Sequence, residues 1–295
     1  MVRRSIAIIK ATALEVLSEP LVFLVTITAM ALAVFAPAMH YHDFGEPSRM
    51  ARDAGASALL VGGLITAAFG ALKTMRREIE SQTAFSALAL PVSRRLFFLS
   101  KTAGVFVSYL VFVVTVGAVS LAAVRASVIG GEIAARECTS VRMFGPIYAL
   151  SVASVVLPFL YGAVVNRFLR KRFTIHANLC ALVLALVAAG GWFDSALFLK
   201  ILPLYALVAT PALVLMCASA AFSTRFKFNV ASTLAVIVFA LFLPALGSYC
   251  LTDVLSAGEK IPWSYSGFAL AAIAPMIAAL LYVGIKSIES LNESH

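Results

Sequence analysis

Charge is scarce in this chain. Only 13% of its 295 residues are Asp, Glu, Lys or Arg, against 62% apolar residues, where an ordinary soluble domain carries about 25% charged residues. A soluble core of this length could not enclose so much apolar surface. About eight segments of about 20 residues each could instead span a bilayer. The scarcity of charge therefore excludes a soluble globular fold, and the shortness of every polar stretch leaves no room for a soluble catalytic domain. The chain is read as all-α, a polytopic helical membrane protein.

The apolar runs lack charge altogether. They are Leu21 to Ala38, Ala54 to Leu72, Thr102 to Val124, Pro146 to Val165, Ala177 to Phe193, Ile201 to Phe222, Val230 to Tyr249 and Gly267 to Ile285, and none holds an Asp, Glu, Lys, Arg or His. A proton- or sodium-coupled carrier keeps such groups at mid-membrane, where they are costly and retained for function. Ion coupling by side chains is thereby disfavoured, and intramembrane metalloproteases, aspartyl proteases and charge-lined pores are excluded. A Gly-x-x-x-x-Gly-Lys-Ser/Thr phosphate loop is also missing, so this chain is expected to bind neither ATP nor Mg itself. Cysteine is sparse too: Cys138, Cys180, Cys217 and Cys250 form no C-x-x-C pair and no zinc spacing. Cys180 and Cys217 fall in apolar runs and read as small buried hydrophobes. Cys138 and Cys250 share one side of the membrane and pair only if that side is oxidising.

Eight runs predict eight spans. The fifth is short and rich in Ala and Gly, and only Asp194 and Lys200 separate it from the sixth. If those two form a re-entrant hairpin, six spans remain and both ends keep their side. Residues 1–20 precede the first span as an amphipathic interfacial helix: Val2, Ile6, Ile9, Ala13, Val16 and Leu17 recur at steps of three and four, with Arg3, Arg4, Lys10 and Glu15 mostly opposite. Pro20 ends it. Although Ala36-Pro37-Ala38 imitates a cleavage site, the preceding stretch is too long and too acidic for a signal peptide. The transmembrane domain is thus 21–286, followed by a tail at 287–295.

The cations are unevenly shared. Arg49, Arg52, Arg125, Arg136, Arg142, Lys200 and Lys260 fall on one side, and the other 16 of the 23 fall on the side of both termini. The positive-inside rule makes that side cytoplasmic. Tyr41, Tyr148, Trp192, Tyr249, Trp263 and Tyr265 sit at the outer boundary as interfacial anchors. The net charge of +9 is then a topology signal with some contact to anionic lipid, and nucleic acid is not an expected partner.

Among uncharged features, Pro158, Pro211, Pro244 and Pro275 interrupt later spans and are candidate hinges. Gly63, Ala67 and Ala71 form a small-residue stripe suited to close packing, within the chain or across a dimer. His40 and His42, beside Met39 and Asp43, are the only candidate metal ligands, and a wet polar boundary explains them as well. No metal site is assigned.

The informative polar segment is 73–101, KTMRREIESQTAFSALALPVSRRLFFLSK. Arg76, Arg77, Glu78 and Glu80 extend the second span as a polar helix. Thr83 can cap a short helix from Ala84 to Leu90, which Pro91 stops, and Ser93 can cap the start of the third span. The product is a short apolar helix, presenting Phe85 and Leu88 between charged flanks, and such a helix beside the cytoplasm invites a partner.

In these residues the chain resembles the permease subunits of ATP-binding-cassette exporters of the second type, in the branch related to permeases for multicopper-enzyme maturation. The resemblance rests on the N-terminal helix ending in Glu19-Pro20, and on Arg77-Glu78-Ile79-Glu80, Thr83, Leu88, Pro91-Val92-Ser93-Arg94, Phe97 and Lys101, and covers roughly the first 125 residues. It implies, usually, six helices per subunit, a second permease subunit making a homo- or heterodimer, and separate ATPase subunits that bind ATP and Mg. It further implies that Met1 to Glu19 is a connecting helix and that Arg76 to Arg94 contains the coupling helix that docks the ATPase, through Arg77, Glu78, Glu80, Thr83, Phe85, Leu88, Pro91, Ser93 and Arg94. The expected function is that of a non-enzymatic permease in the cytoplasmic membrane. A membrane anchor without transport, or a membrane enzyme acting on lipid, is the alternative.

Overall fold

A computed structural model describes residues 2–38, 47–80, 93–137, 144–226, 228–247 and 263–290. Of these residues 94% are helical and none lies in a strand. In lipid a backbone must satisfy its own polar groups, and a helix does so within one segment. The helices are α1 (Val2–Leu17), α2 (Pro20–Phe35), α3 (Pro47–Glu80), α4 (Arg94–Glu137), α5 (Gly145–Leu169), α6 (Phe173–Gly190), α7 (Ser195–Ser223), α8 (Phe228–Gly247) and α9 (Trp263–Ser290), with a 3-10 turn at Ala36–Ala38 after α2. Within the described residues each of the eight uncharged runs falls mainly on its own helix, and α1 is the amphipathic segment. Pro20 opens α2 at the first helical position, where its missing N–H leaves nothing unpaired.

Six helices, α3, α4, α5, α6, α7 and α9, are long and apolar enough to cross a membrane. α1 and α2 pass that test only together, as a pair bent by 67°. The apolar stretch Val230–Phe239 of α8 is shorter. Six full-length helices are thus reached by a different route from the re-entrant hairpin anticipated for the fifth and sixth runs. Both of those runs are complete helices, and α6 packs on α5 and α4 rather than on α7. The Ala-rich composition that made α6 look weak is its packing device: Ala177, Ala181, Ala185 and Ala188 form a fully buried stripe.

α4 is the central post. Its 44 residues make a rod of about 66 Å, roughly twice the hydrocarbon thickness of a bilayer. α3 and α7 pack on each other and on α4, α1, α2 and the α5–α6 hairpin also pack on α4, with α2 bridging to α3, and α9 packs against α7 and α4. The core centres on Tyr109, Phe112 and Val116 of α4, with Leu59 of α3, Met30 of α2 and Val208 of α7. The stripe on α3 is used inside the chain: Ala67 and Ala71 are fully buried, and a Cβ at Gly63 would stand 3.3 Å from the Tyr109 ring.

Pro158, Pro211, Pro244 and Pro275 lie within α5, α7, α8 and α9, and Pro203 is a further proline inside α7. Arg170 ends α5 with φ of 50°, the left-handed position that glycine usually takes. That turn lets α6 start three residues later, antiparallel to α5.

Candidate functional site

The site grows out of the bend between α1 and α2. Helix ends leave carbonyls without intrahelical partners, and a buried orphan is costly. Here each carbonyl through the bend is accounted for. Ser18 N–H serves Leu14 and Glu15, Glu19 N–H serves Val16, and Phe23 N–H serves Glu19. Two carbonyls are taken from a distant helix: Asn178 Nδ2 donates to Leu17 O at 3.0 Å, and Thr174 Oγ1 donates to Ser18 O at 2.6 Å. Arg172 Nη1 adds a bond to Ser18 Oγ at 3.3 Å. The first turns of α6 therefore cap the end of α1.

α1 is also sewn to α4. Ser108 Oγ donates to Ala13 O at 3.1 Å. Gly104 lets the two backbones meet, since a Cβ there would fall 2.5 Å from Thr12 Cβ and 2.8 Å from the Ile9 carbonyl oxygen. Thr12, Ala13, Val16 and Leu17 are buried, while Ile6 is 57% exposed. The anticipated apolar face of α1 thus divides: its C-terminal half is committed to the bundle, and its N-terminal half is left for the interface.

Charge completes the junction. Glu15 Oε1 accepts from Arg77 Nη1 at 3.3 Å, and its Oε2 lies 3.8 Å from Lys101 Nζ. Lys73 donates to Glu19. Lys101 has a side chain only 6% exposed, and a buried ammonium persists only when paired. One carboxylate of α1 therefore ties the end of α3 to the start of α4, the two helices that bracket residues 81–92. At the same end Arg95 pairs with Glu289 of α9, so α1 and the C-terminal turn of α9 lie on one side of the bundle.

The residues anticipated for docking divide as follows. Arg77 sits in the last turns of α3 and is engaged with Glu15; Glu78 and Glu80 continue that helix to its end, and Arg94 opens α4. Ser93 caps α4 as anticipated, its Oγ accepting from Leu96 N at 3.4 Å. Thr83, Phe85, Leu88 and Pro91, with the short helix expected at 84–90, lie outside the described residues. So do His40, His42, Cys138 and Cys250. Cys217 is buried and Cys180 half-buried, both free. Among the described residues no group of three or more His, Cys, Asp and Glu could hold a metal ion. Sequence reasoning missed the roles of Glu15, Lys73, Ser108, Thr174 and Asn178. The available signal was one acid, Glu15, on an otherwise basic α1, assigned to the same side as the cations of 73–101.

The opposite end carries a second feature. Asp194 caps α7 through Ala196 N at 2.9 Å and pairs with Arg125 of α4 at 3.0 Å. Below that pair a cleft of about 580 Å³ opens between α4, the end of α6 and α7, with Trp192, Leu121 and Leu202 among its mostly apolar walls. It exists because α6 and α7, though consecutive, diverge from the Asp194 link. Deeper in, Tyr205 bonds Ser120 and Tyr109 donates to Ala209 O at 2.6 Å.

Comparison with protein families, with characterised proteins and with solved structures returns no match.

Proposed function

We propose that this chain is the membrane-spanning permease subunit of an ATP-driven transporter. In this reading α1 is the connecting helix, residues 76–94 dock a separate ATPase subunit that binds ATP and Mg, and a second permease subunit completes the assembly. The observation that carries it is the double engagement of Glu15 with Arg77 and Lys101. A push delivered to residues 81–92 would act on the ends of α3 and α4 and, through that carboxylate, on α1 and the bend into α2. The absence of charge from the eight apolar runs supports an external energy source, because side-chain ion coupling needs intramembrane charge. The excess of cations on the side of both termini supports a cytoplasmic placement of that face.

The test is co-purification of the full chain with candidate ATPase subunits, and ATP turnover of the complex, with Phe85→Asp and Leu88→Asp beside the parent. The parent is expected to retain an ATPase and the variants to lose it. If the parent retained none, the permease reading would fail; if both variants assembled normally, the docking role of residues 84–90 would fail.

A further inference from the structure

At the end of the bundle where the last turns of α7 and α9 meet, the two helices leave a gap between them. A wedge of about 360 Å³ opens between them, walled by Phe222, Phe226, Tyr282 and Val283 and flanked by Arg225 and Lys286. Its base is closed by the hydrogen bond between Thr224 Oγ1 and Ser287 Oγ at 2.9 Å. Lys286 Nζ stands 5.6 Å from the Tyr282 ring centroid, one helical turn away, a cation–π placement that holds the ammonium at the lip. Arg76 bonds the Phe226 carbonyl oxygen at 3.3 Å, bringing a further guanidinium beside the wedge. Among the described residues no carboxylate lines it, and Glu289, the one acid of α9, is paired with Arg95.

We infer that this wedge binds an anionic phospholipid, with the headgroup phosphate between Arg225 and Lys286 and an acyl chain along Phe226, Tyr282 and Val283. Charge and shape both point there. Guanidinium forks bind phosphate through paired N–H bonds, and an ammonium adds a mobile point charge. Tyr282 is 60% and Val283 49% exposed; an acyl chain would cover them and a water-soluble phosphate would not. A second copy of the chain fits poorly. A two-fold interface places the same patch against itself, which would bring the Arg225 and Lys286 pairs of both copies together with no acid between them. Basic pockets between membrane helices are suited to acidic headgroups in this way. The site adjoins the proposed docking segment through Arg76, but its lipid binding does not depend on an ATPase partner.

The experiment is native mass spectrometry of the full chain released from micelles containing equal amounts of phosphatidylglycerol and phosphatidylcholine. The parent is expected to retain phosphatidylglycerol preferentially. Arg225→Gln with Lys286→Gln should reduce that preference on the order of tenfold. Arg4→Gln with Lys171→Gln removes the same charge from exposed positions at the same end and should leave it intact. The exchange Arg225→Lys with Lys286→Arg keeps both charges, and should keep most of the preference, which guards against misfolding as the cause. Equal retention of the two lipids by the parent would overturn the site. An equal loss in the two glutamine pairs would also overturn it, showing diffuse surface attraction. Displacement of the lipid by glycerol 3-phosphate in solution would remove the acyl chain from the proposal, and a dimer peak present in the parent and lost in the Arg225→Gln, Lys286→Gln pair would assign the wedge to a second copy instead.

Discussion

Asn178 of α6 donates its side-chain amide to the carbonyl oxygen of Leu17, the last residue of α1, at 3.0 Å. The two residues are 161 positions apart in the chain, yet the bond decides whether a 67° bend leaves a buried acceptor unpaired. Asn178 is itself only 3% exposed. Replacing Asn178 by Leu keeps the volume roughly constant and strips Leu17 of its partner. The expected loss is about 1–2 kcal/mol, read as a lowered midpoint in denaturant titration of the micelle-bound chain. A midpoint unchanged within error would mean that the α1 end is capped by some other group.

The shared carboxylate of Glu15 can be weighed by a double-mutant cycle. Glu15→Gln removes a carboxylate that lies 3.8 Å from the buried Lys101 ammonium, and breaking a buried pair from one side costs several kcal/mol. Glu15 is partly exposed, which lowers the expected cost to about 1–3 kcal/mol. Lys101→Met on top of Glu15→Gln removes the buried ammonium as well and should recover part of that loss. The cycle is measured by the same unfolding titration. A double variant as unstable as the two single losses added together would show that Glu15 and Lys101 do not interact.

How much of this was legible beforehand depended on whether a feature repeats locally. Each span announces itself through an uncharged run, because lipid demands it of every residue in the segment. Ser93 as a cap was legible for the same reason, since capping is a matter of a few adjacent positions. The seat of α1 was not. Ser108, Thr174 and Asn178 read as ordinary polar residues in or near apolar segments, and only the fold brings them to the carbonyls of Ala13, Ser18 and Leu17. Ser93 as a cap places the start of α4 at Arg94, but the uncharged run ends at Val124 and gives no sign that the helix continues through Arg125 to Glu137, although a helix emerging from a membrane can continue in water. The Ala content of α6 was counted as weak hydropathy when its spacing was a packing stripe.

Two glycines of α4 should answer oppositely to the same substitution. At Gly104 a methyl group would meet Thr12 Cβ at 2.5 Å and the Ile9 carbonyl oxygen at 2.8 Å. The oxygen belongs to backbone and cannot rotate away, so Gly104→Ala must displace α1, at about 1–3 kcal/mol for overpacking. At Gly131 nothing lies within 4 Å, and Gly131→Ala should stabilise α4 by up to about 1 kcal/mol from helix propensity alone. Thermal unfolding of the two variants side by side gives the comparison. Equal stabilisation by both would show that α1 does not approach α4 as closely as these contacts require.

Proline inside α7 creates a debt of one hydrogen bond, and the neighbouring residue settles it. Pro211 has no N–H, so the carbonyl of Leu207 loses the partner that residue 211 would supply in a regular helix. Thr210 Oγ1 donates to that carbonyl at 2.7 Å, and Thr210 is buried. Thr210→Val should therefore cost about 1 kcal/mol in the parent, where the carbonyl is left bare. In a Pro211→Ala background the backbone N–H returns, and the same Thr210→Val change should cost close to nothing. Unfolding titrations of the four variants measure the coupling directly. An equal cost of Thr210→Val in both backgrounds would separate the hydroxyl from the proline, and would leave the Leu207 carbonyl to be satisfied by a distortion of α7 that opens and closes independently of Thr210.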